Sequence, residues 1–97
     1  MPATAALVSF RLGGTDGVSV EAAKWAWALG QLGWRVTTVA GEGRADRLMP
    51  ELAMGADGPS DQGPLAQALA ADVVVVENLC SLPLNVGASR AVATVLA

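Results

Sequence analysis

The stretch "VSFRLGGTDGVSVE", Val8 to Glu21, decides how the rest of the chain is read. A β-branched and aromatic run meets a glycine pair, then Thr15-Asp16-Gly17, then a helical pattern. Glycine-rich turns between a strand and a helix cradle anions, usually phosphates, because main-chain N–H groups and the positive end of the helix dipole face the ligand. The same turn also arises wherever the backbone must reverse sharply at φ > 0. Both readings are open at this point.

Working outward, Ala5–Phe10 is a short apolar run that predicts a buried strand. Arg11–Gly17 reads as loop. Val18–Leu32 predicts a helix, with Val18, Ala22, Trp25, Leu29 and Leu32 forming one stripe, Asp16 placed to cap it and Gly33 to close it. Gly30, inside that helix, weakens it by about 1 kcal/mol relative to alanine. Trp34–Ala40 is β-branched and predicts a second strand, followed by "GEGRAD" as loop. Arg47–Ala56 fits either a short third strand broken near Pro50 or a helical turn. Gly55–Gly63 reads as loop or local disorder, the nearest thing to a linker.

Pro64–Ala71 predicts a short helix with proline at its first position. Asp72–Glu77 is the clearest strand, and its four consecutive valines predict burial on both faces, as in a central parallel strand. Asn85 is placed to cap a final helix. The alternation of strands and helices specifies an α/β fold, a Rossmann-like open parallel sheet with helices on both faces. If Ala5–Phe10 is central with Asp72–Glu77 on its far side, a switch point lies between them. Ligands of open α/β sheets sit in that crevice, at the carboxyl ends of the strands. The loops bordering it are Arg11–Gly17 and Asn78–Asn85.

Composition narrows the chemistry. The chain has 97 residues, enough for one small domain, with 53% apolar and 15% charged residues and a net charge of −3. Its six basic residues are scattered singly, so no basic stripe is present for nucleic acid. There is no histidine, which removes Ser-His, Cys-His and His-ligated metal chemistry from this chain. The single cysteine, Cys80, has no basic neighbour to lower its pKa and is compatible with a reducing compartment. The N-terminus lacks a charged segment before its apolar run, and no apolar run approaches the roughly 20 residues that span a bilayer. Cytoplasmic and soluble is the expectation. The closing "GASRAVATVLA" has no C-cap glycine or basic last turn, which reads as part of a longer protein.

The glycine loop fits neither common phosphate fingerprint. Counting from Gly13, the third and sixth positions are Thr15 and Val18, so G-x-G-x-x-G fails, and no G-K-[ST] follows. Gly13 and Gly14 still leave the main chain open to a diphosphate or sugar hydroxyl, with Asp16 as helix cap, ligand group or both. In "VVVVENLCSLPLN", Glu77 closes a valine strand at the substrate edge and Asn78 follows it. A carboxylate and an amide suit hydroxyl-rich ligands, since each makes several directed hydrogen bonds. The structural alternative has Glu77 in solvent and Asn78 organising the turn. Trp27 lies opposite the helix stripe and should face away from the sheet, free to cover another domain, touch a membrane surface or stand exposed.

These residues carry a resemblance. "FRLGGTDGVSVEAAKWAWALGQLGWRVTTVAGEG" (Phe10–Gly43) resembles the opening of GT-B-fold glycosyltransferases, in the retaining group related to glycogen and sucrose-phosphate synthases. "VVVVENLCSLPLN" (Val73–Asn85) resembles a strand and loop further along the same acceptor-side domain. The resemblance spans about residues 5 to 97. It implies a partial N-terminal domain of an enzyme that moves a sugar from a nucleotide-sugar donor to an acceptor hydroxyl. It also implies a C-terminal donor-binding domain absent from these 97 residues, and no cofactor beyond the donor substrate. In such enzymes the Gly-Gly loop lies against the donor diphosphate or the transferred sugar. That role maps onto Gly13, Gly14, Thr15 and Asp16, with Glu77 and Asn78 lining the cleft.

The family's E-x7-E pair, its basic phosphate-binding pair and its acceptor-domain histidine have no match here, so these residues alone are expected to be inactive. The alternative is a small nucleotide- or anion-binding Rossmann-like module without catalysis, in which Glu42 could meet a ribose. A third reading is an interaction domain that uses the Trp27 face.

Overall fold

A computed structural model describes residues 3–15, 17–77 and 85–97. Strand β1 (Thr4–Leu12) leads into helix α1 (Gly17–Gln31), then β2 (Arg35–Gly43) and the two-residue β3 (Arg47–Leu48). A 3-10 turn (Pro50–Leu52), helix α2 (Gly63–Ala68), β4 (Val73–Glu77) and helix α3 (Val86–Leu96) complete the order. The strands form one all-parallel sheet in the order β3-β2-β1-β4. β1 is the central strand, its pairs running from Thr4↔Arg35 to Leu12↔Gly43 on one side and from Ala5↔Val73 to Ser9↔Glu77 on the other.

Strand alternation divides the core into two layers. Ala6, Val8 and Phe10 of β1 and Val39 of β2 pack with Leu52, Leu65, Leu69 and the α3 residues Ala88, Ala91 and Val92. On the opposite face Leu7, Leu12 and Ala40 pack under Ala22 of α1, with Ala26, Val36 and Val75 against them. Helices therefore cover both faces of an open parallel sheet, the Rossmann-like arrangement expected. Among the described residues no helix is long and apolar enough to cross a membrane.

Several expectations are corrected. β4 is not central: it lies at the end of the strand order, with Val73 39% exposed and the next three valines half-buried. Val74 and Val76 reach the α2–α3 layer, while Val75 is only partly covered on the α1 side. The valine run reflects two apolar faces, not two strand neighbours. The α1 stripe also differs. Ser19 and Ala22 are buried and Ala26 packs inward, whereas Trp25 is 44% and Leu32 72% exposed. Small side chains face the sheet because they let the helix axis lie close to it, and the large apolar residues fall on its flank. Trp27, 69% exposed, faces away from the sheet as expected.

Gly33 closes α1 as expected. The N–H of Trp34 donates to the Leu29 carbonyl (3.1 Å) and that of Gly33 to the Gly30 carbonyl (3.0 Å), the paired bonds of a Schellman end. The strands run longer than the sequence pattern implies, since Arg11, Leu12 and Gly41–Gly43 are paired strand rather than loop. α2 is shorter and starts at Gly63 rather than Pro64.

The segment after the 3-10 turn is pinned rather than linker-like. Gly58 lies so close to Gly87 of α3 that a Cβ on either would strike the other's backbone region, and Asp61 Oδ1 accepts from the Gly63 N–H at 3.0 Å. Asn85 organises this junction. Its Oδ1 accepts from the Ala88 N–H (3.0 Å), capping α3, while its amide nitrogen donates to the carbonyls of Glu51 and Ala53, both at 2.8 Å. The residue is 3% exposed and no buried side-chain polar atom among the described residues lacks a partner.

Both edge strands start with the same bracket. Asp72, just before β4, accepts from the N–H (2.8 Å) and hydroxyl (3.2 Å) of Thr4, and its own N–H donates to the Thr4 hydroxyl oxygen (3.2 Å). Asp46, just before β3, does the same with Thr38 at 2.9, 3.2 and 2.8 Å.

Asn85→Ala removes the α3 cap and two further hydrogen bonds, to the Glu51 and Ala53 carbonyls, so it is expected to destabilise the chain by about 3 kcal/mol. Asp46→Ala, at an exposed bracket, is expected to cost about 1 kcal/mol or less. Urea unfolding midpoints of the two variants check the ranking.

Candidate functional site

Glu77, the last described residue of β4, lies level with Ser9, while Arg11 and Leu12 of β1 pair with β2 further along. Gly13 stands four residues past Ser9, up to about 13 Å further along the strand direction at the usual rise per residue. Glu77 is half-buried and by alternation on the α1 face, and its carbonyl accepts from the Ser9 hydroxyl at 3.2 Å. The turn residues Gly13, Gly14 and Thr15 are all exposed. Asp16 and Asn78, also expected at this site, lie outside the described residues. The structure brings the glycine turn and Glu77 to the same sheet edge on adjacent strands, at different heights.

The turn is fixed by contacts across β1 and β2. Gly43 (φ +91°) lies against the Leu12 carbonyl so closely that a Cβ would strike that oxygen, and the Arg44 N–H donates to the same carbonyl at 2.8 Å. Gly13 (φ +79°) in turn lies on Arg44, where a Cβ would collide with the arginine Cβ. Gly41, on the other face, lets the Leu52–Ala53 backbone rest directly on β2. Glycine in "GEGRAD" therefore serves close approach rather than chain reversal.

Between this turn, α1 and β2 lies a half-open cavity of about 310 Å³. Gly13, Gly14 and Arg44 form its mouth, Leu12 and Thr38 its sheet wall, and Ser19, Ala22, Ala23 and Ala26 its helix wall. The volume is at the lower end of the range for small-molecule pockets. Among the described residues Arg44 is the one charged residue in the lining. The Thr38 hydroxyl is already bonded to Asp46. The sequence pattern pointed to the glycines but not to Arg44, because only the fold carries that residue from the end of β2 to the β1 turn. Its signal in the sequence was a basic residue following a glycine directly after a strand. Among the described residues, no group of three or more His, Cys, Asp or Glu is placed to hold a metal ion.

Gly13→Ala imposes a disfavoured φ as well as the collision with Arg44 and is expected to destabilise by about 2 kcal/mol. Gly30→Ala, where a Cβ meets nothing within 4 Å, is expected to stabilise α1 by about 0.5–1 kcal/mol. Thermal or urea unfolding of both variants checks the opposite signs.

Compared with protein-family models, curated proteins and solved structures, the chain matches none of them.

Proposed function

We propose that this chain is the acceptor-side part of a nucleotide-sugar-dependent glycosyltransferase. In this reading the Gly13–Gly14 turn, with Thr15 and Asp16, lies against the donor diphosphate or the transferred sugar. Glu77 and Asn78 line the cleft from the end of the neighbouring strand, with hydrogen-bonding capacity suited to the hydroxyl-rich part of a sugar. The donor-binding half and the groups that stabilise an oxocarbenium-like donor come from a second domain. The outer face of α1 around Trp27 is available to that domain or to a membrane surface.

One observation supports the reading above the others: β1 is central, with β2 and β4 parallel on its two sides, so the chain leaves β1 in one direction and returns in the other. That reversal is the switch point at which open α/β sheets take ligands. The glycine turn and Glu77 border it on adjacent strands.

In the native polypeptide carrying this domain, Gly14→Val is expected to lower sugar transfer about a hundredfold or more by displacing the donor, with the thermal midpoint shifted by only a few degrees. Transfer at the parent rate in that variant rejects the assignment. Nucleotide binding by the native polypeptide without any transfer would instead support the non-catalytic binding module.

A further inference from the structure

The cavity on the α1–β2 flank shares Gly13 and Gly14 with the turn that the transferase reading sets against the donor, but that reading gives no task to Arg44 or to the helix wall of the cavity. It lies on the β2 side of β1, away from Glu77, and its helix wall runs from Ser19 to Ala26 over the first three turns of α1. We infer that this cavity binds the phosphate group of a small molecule, with Arg44 as the ion-pairing residue.

Three observations carry the inference. The first is charge. Among the described residues lining the cavity Arg44 is the only ionisable one, and the others are small or neutral. Glu42 and Asp46 are equally near Arg44 along the chain, and Asp46 has Oδ2 engaged by both the N–H and the hydroxyl of Thr38.

The second is position. An arginine on a loop ordinarily loses much of its binding energy to ordering. Here its root is fixed, because the Arg44 N–H is bonded to the Leu12 carbonyl at 2.8 Å and its Cα and Cβ lie against Gly13. Only the outer side chain remains to be ordered when it closes on a ligand. The planar guanidinium offers paired donors that match two phosphate oxygens, which a lysine at the same place would not reproduce.

The third is size and wall chemistry. About 310 Å³ accommodates a phosphate with a small attached group, and Ala22, Ala23, Ala26 and Leu12 give that group an apolar surface. The alanine walls lack the directed donors and acceptors that a sugar ring needs on each hydroxyl. The ligand class is therefore a phosphate monoester with a compact, partly apolar body, and inorganic phosphate is the minimal probe.

The test is an amide NMR titration of the 97-residue chain with inorganic phosphate, and separately with acetate at matched ionic strength. The expected result is saturable shifts confined to the Gly13–Gly14 turn, Arg44 and the facing turn of α1, stronger for phosphate than for acetate. Arg44→Gln should weaken phosphate binding about tenfold or more. Arg44→Lys should recover only part of that loss. The exposed Arg47 is outside the lining, so Arg47→Gln should leave affinity within about twofold.

Arg44 is exposed and its bonded N–H belongs to the backbone, so these variants should retain the parent spectrum elsewhere. Absence of saturation at about 50 mM phosphate, weaker than any useful site, overturns the inference. So does equal weakening by Arg44→Gln and Arg47→Gln, which would mark diffuse charge attraction. Equal shifts with acetate would overturn the phosphate assignment. The two readings share the glycine turn but fail separately: the transferase reading is decided by sugar transfer in the Gly14→Val variant, this one by the Arg44 dependence of phosphate binding.

Discussion

Backbone can rest on backbone only where no Cβ intervenes, and the carboxyl ends of β1 and β2 are built on that condition. Gly43 meets the Leu12 carbonyl, Gly13 meets Arg44, and Gly41 meets the Leu52–Ala53 backbone on the opposite face. Together they join the β1 turn, the end of β2 and the 3-10 turn into one block. The placing of the glycine turn beside the α1–β2 cavity and the position of Arg44 both follow from it. A methyl group at any of the three would force main chains apart, and no rotamer change could absorb the displacement. The site's shape is thus set by atoms that are absent as much as by those present.

The opposite layer depends on a polar group. Asn85 is buried at the start of α3, where an unpaired amide would be costly. It is tolerated because both ends of the amide are used: Oδ1 caps α3, and the nitrogen donates to the Glu51 and Ala53 carbonyls at the 3-10 turn. One residue therefore ends one element and starts another. The Gly41 contact fixes the same 3-10 segment on the sheet side, so the segment is held between β2 and α3.

The parts of this fold legible in the sequence are those whose determinants are local. The Schellman end at Gly33, the Asn85 cap, the existence of β1, α1, β2 and β4, and the parallel α/β class all come from short-range patterns. The errors occur where the determinant is a distant residue. Four valines record that β4 has apolar surroundings, but they do not record how many strands flank it. The α1 stripe was read from side-chain size, whereas the sheet selects the smallest side chains of the helix, Ser19, Ala22 and Ala26, for its contact face. The glycines after β2 look like a turn until the backbone they touch is known. Arg44 escaped notice for the same reason, since nothing beside it in the sequence links it to Gly13.

The glycine turn stands between two flanks of the sheet edge. On the β4 side Glu77 lies level with Ser9 of β1. On the β2 side β1 and β2 pair through Leu12, and α1, leaving the β1 turn to cross back over them, encloses a cavity between helix and sheet. A single loop thus has flanks of different chemistry, one carrying Glu77 and one carrying Arg44. A ligand with a hydroxyl-rich part suits the first and an anionic group the second. Gly13 and Gly14 can serve both because main chain without side chains admits approach from either flank.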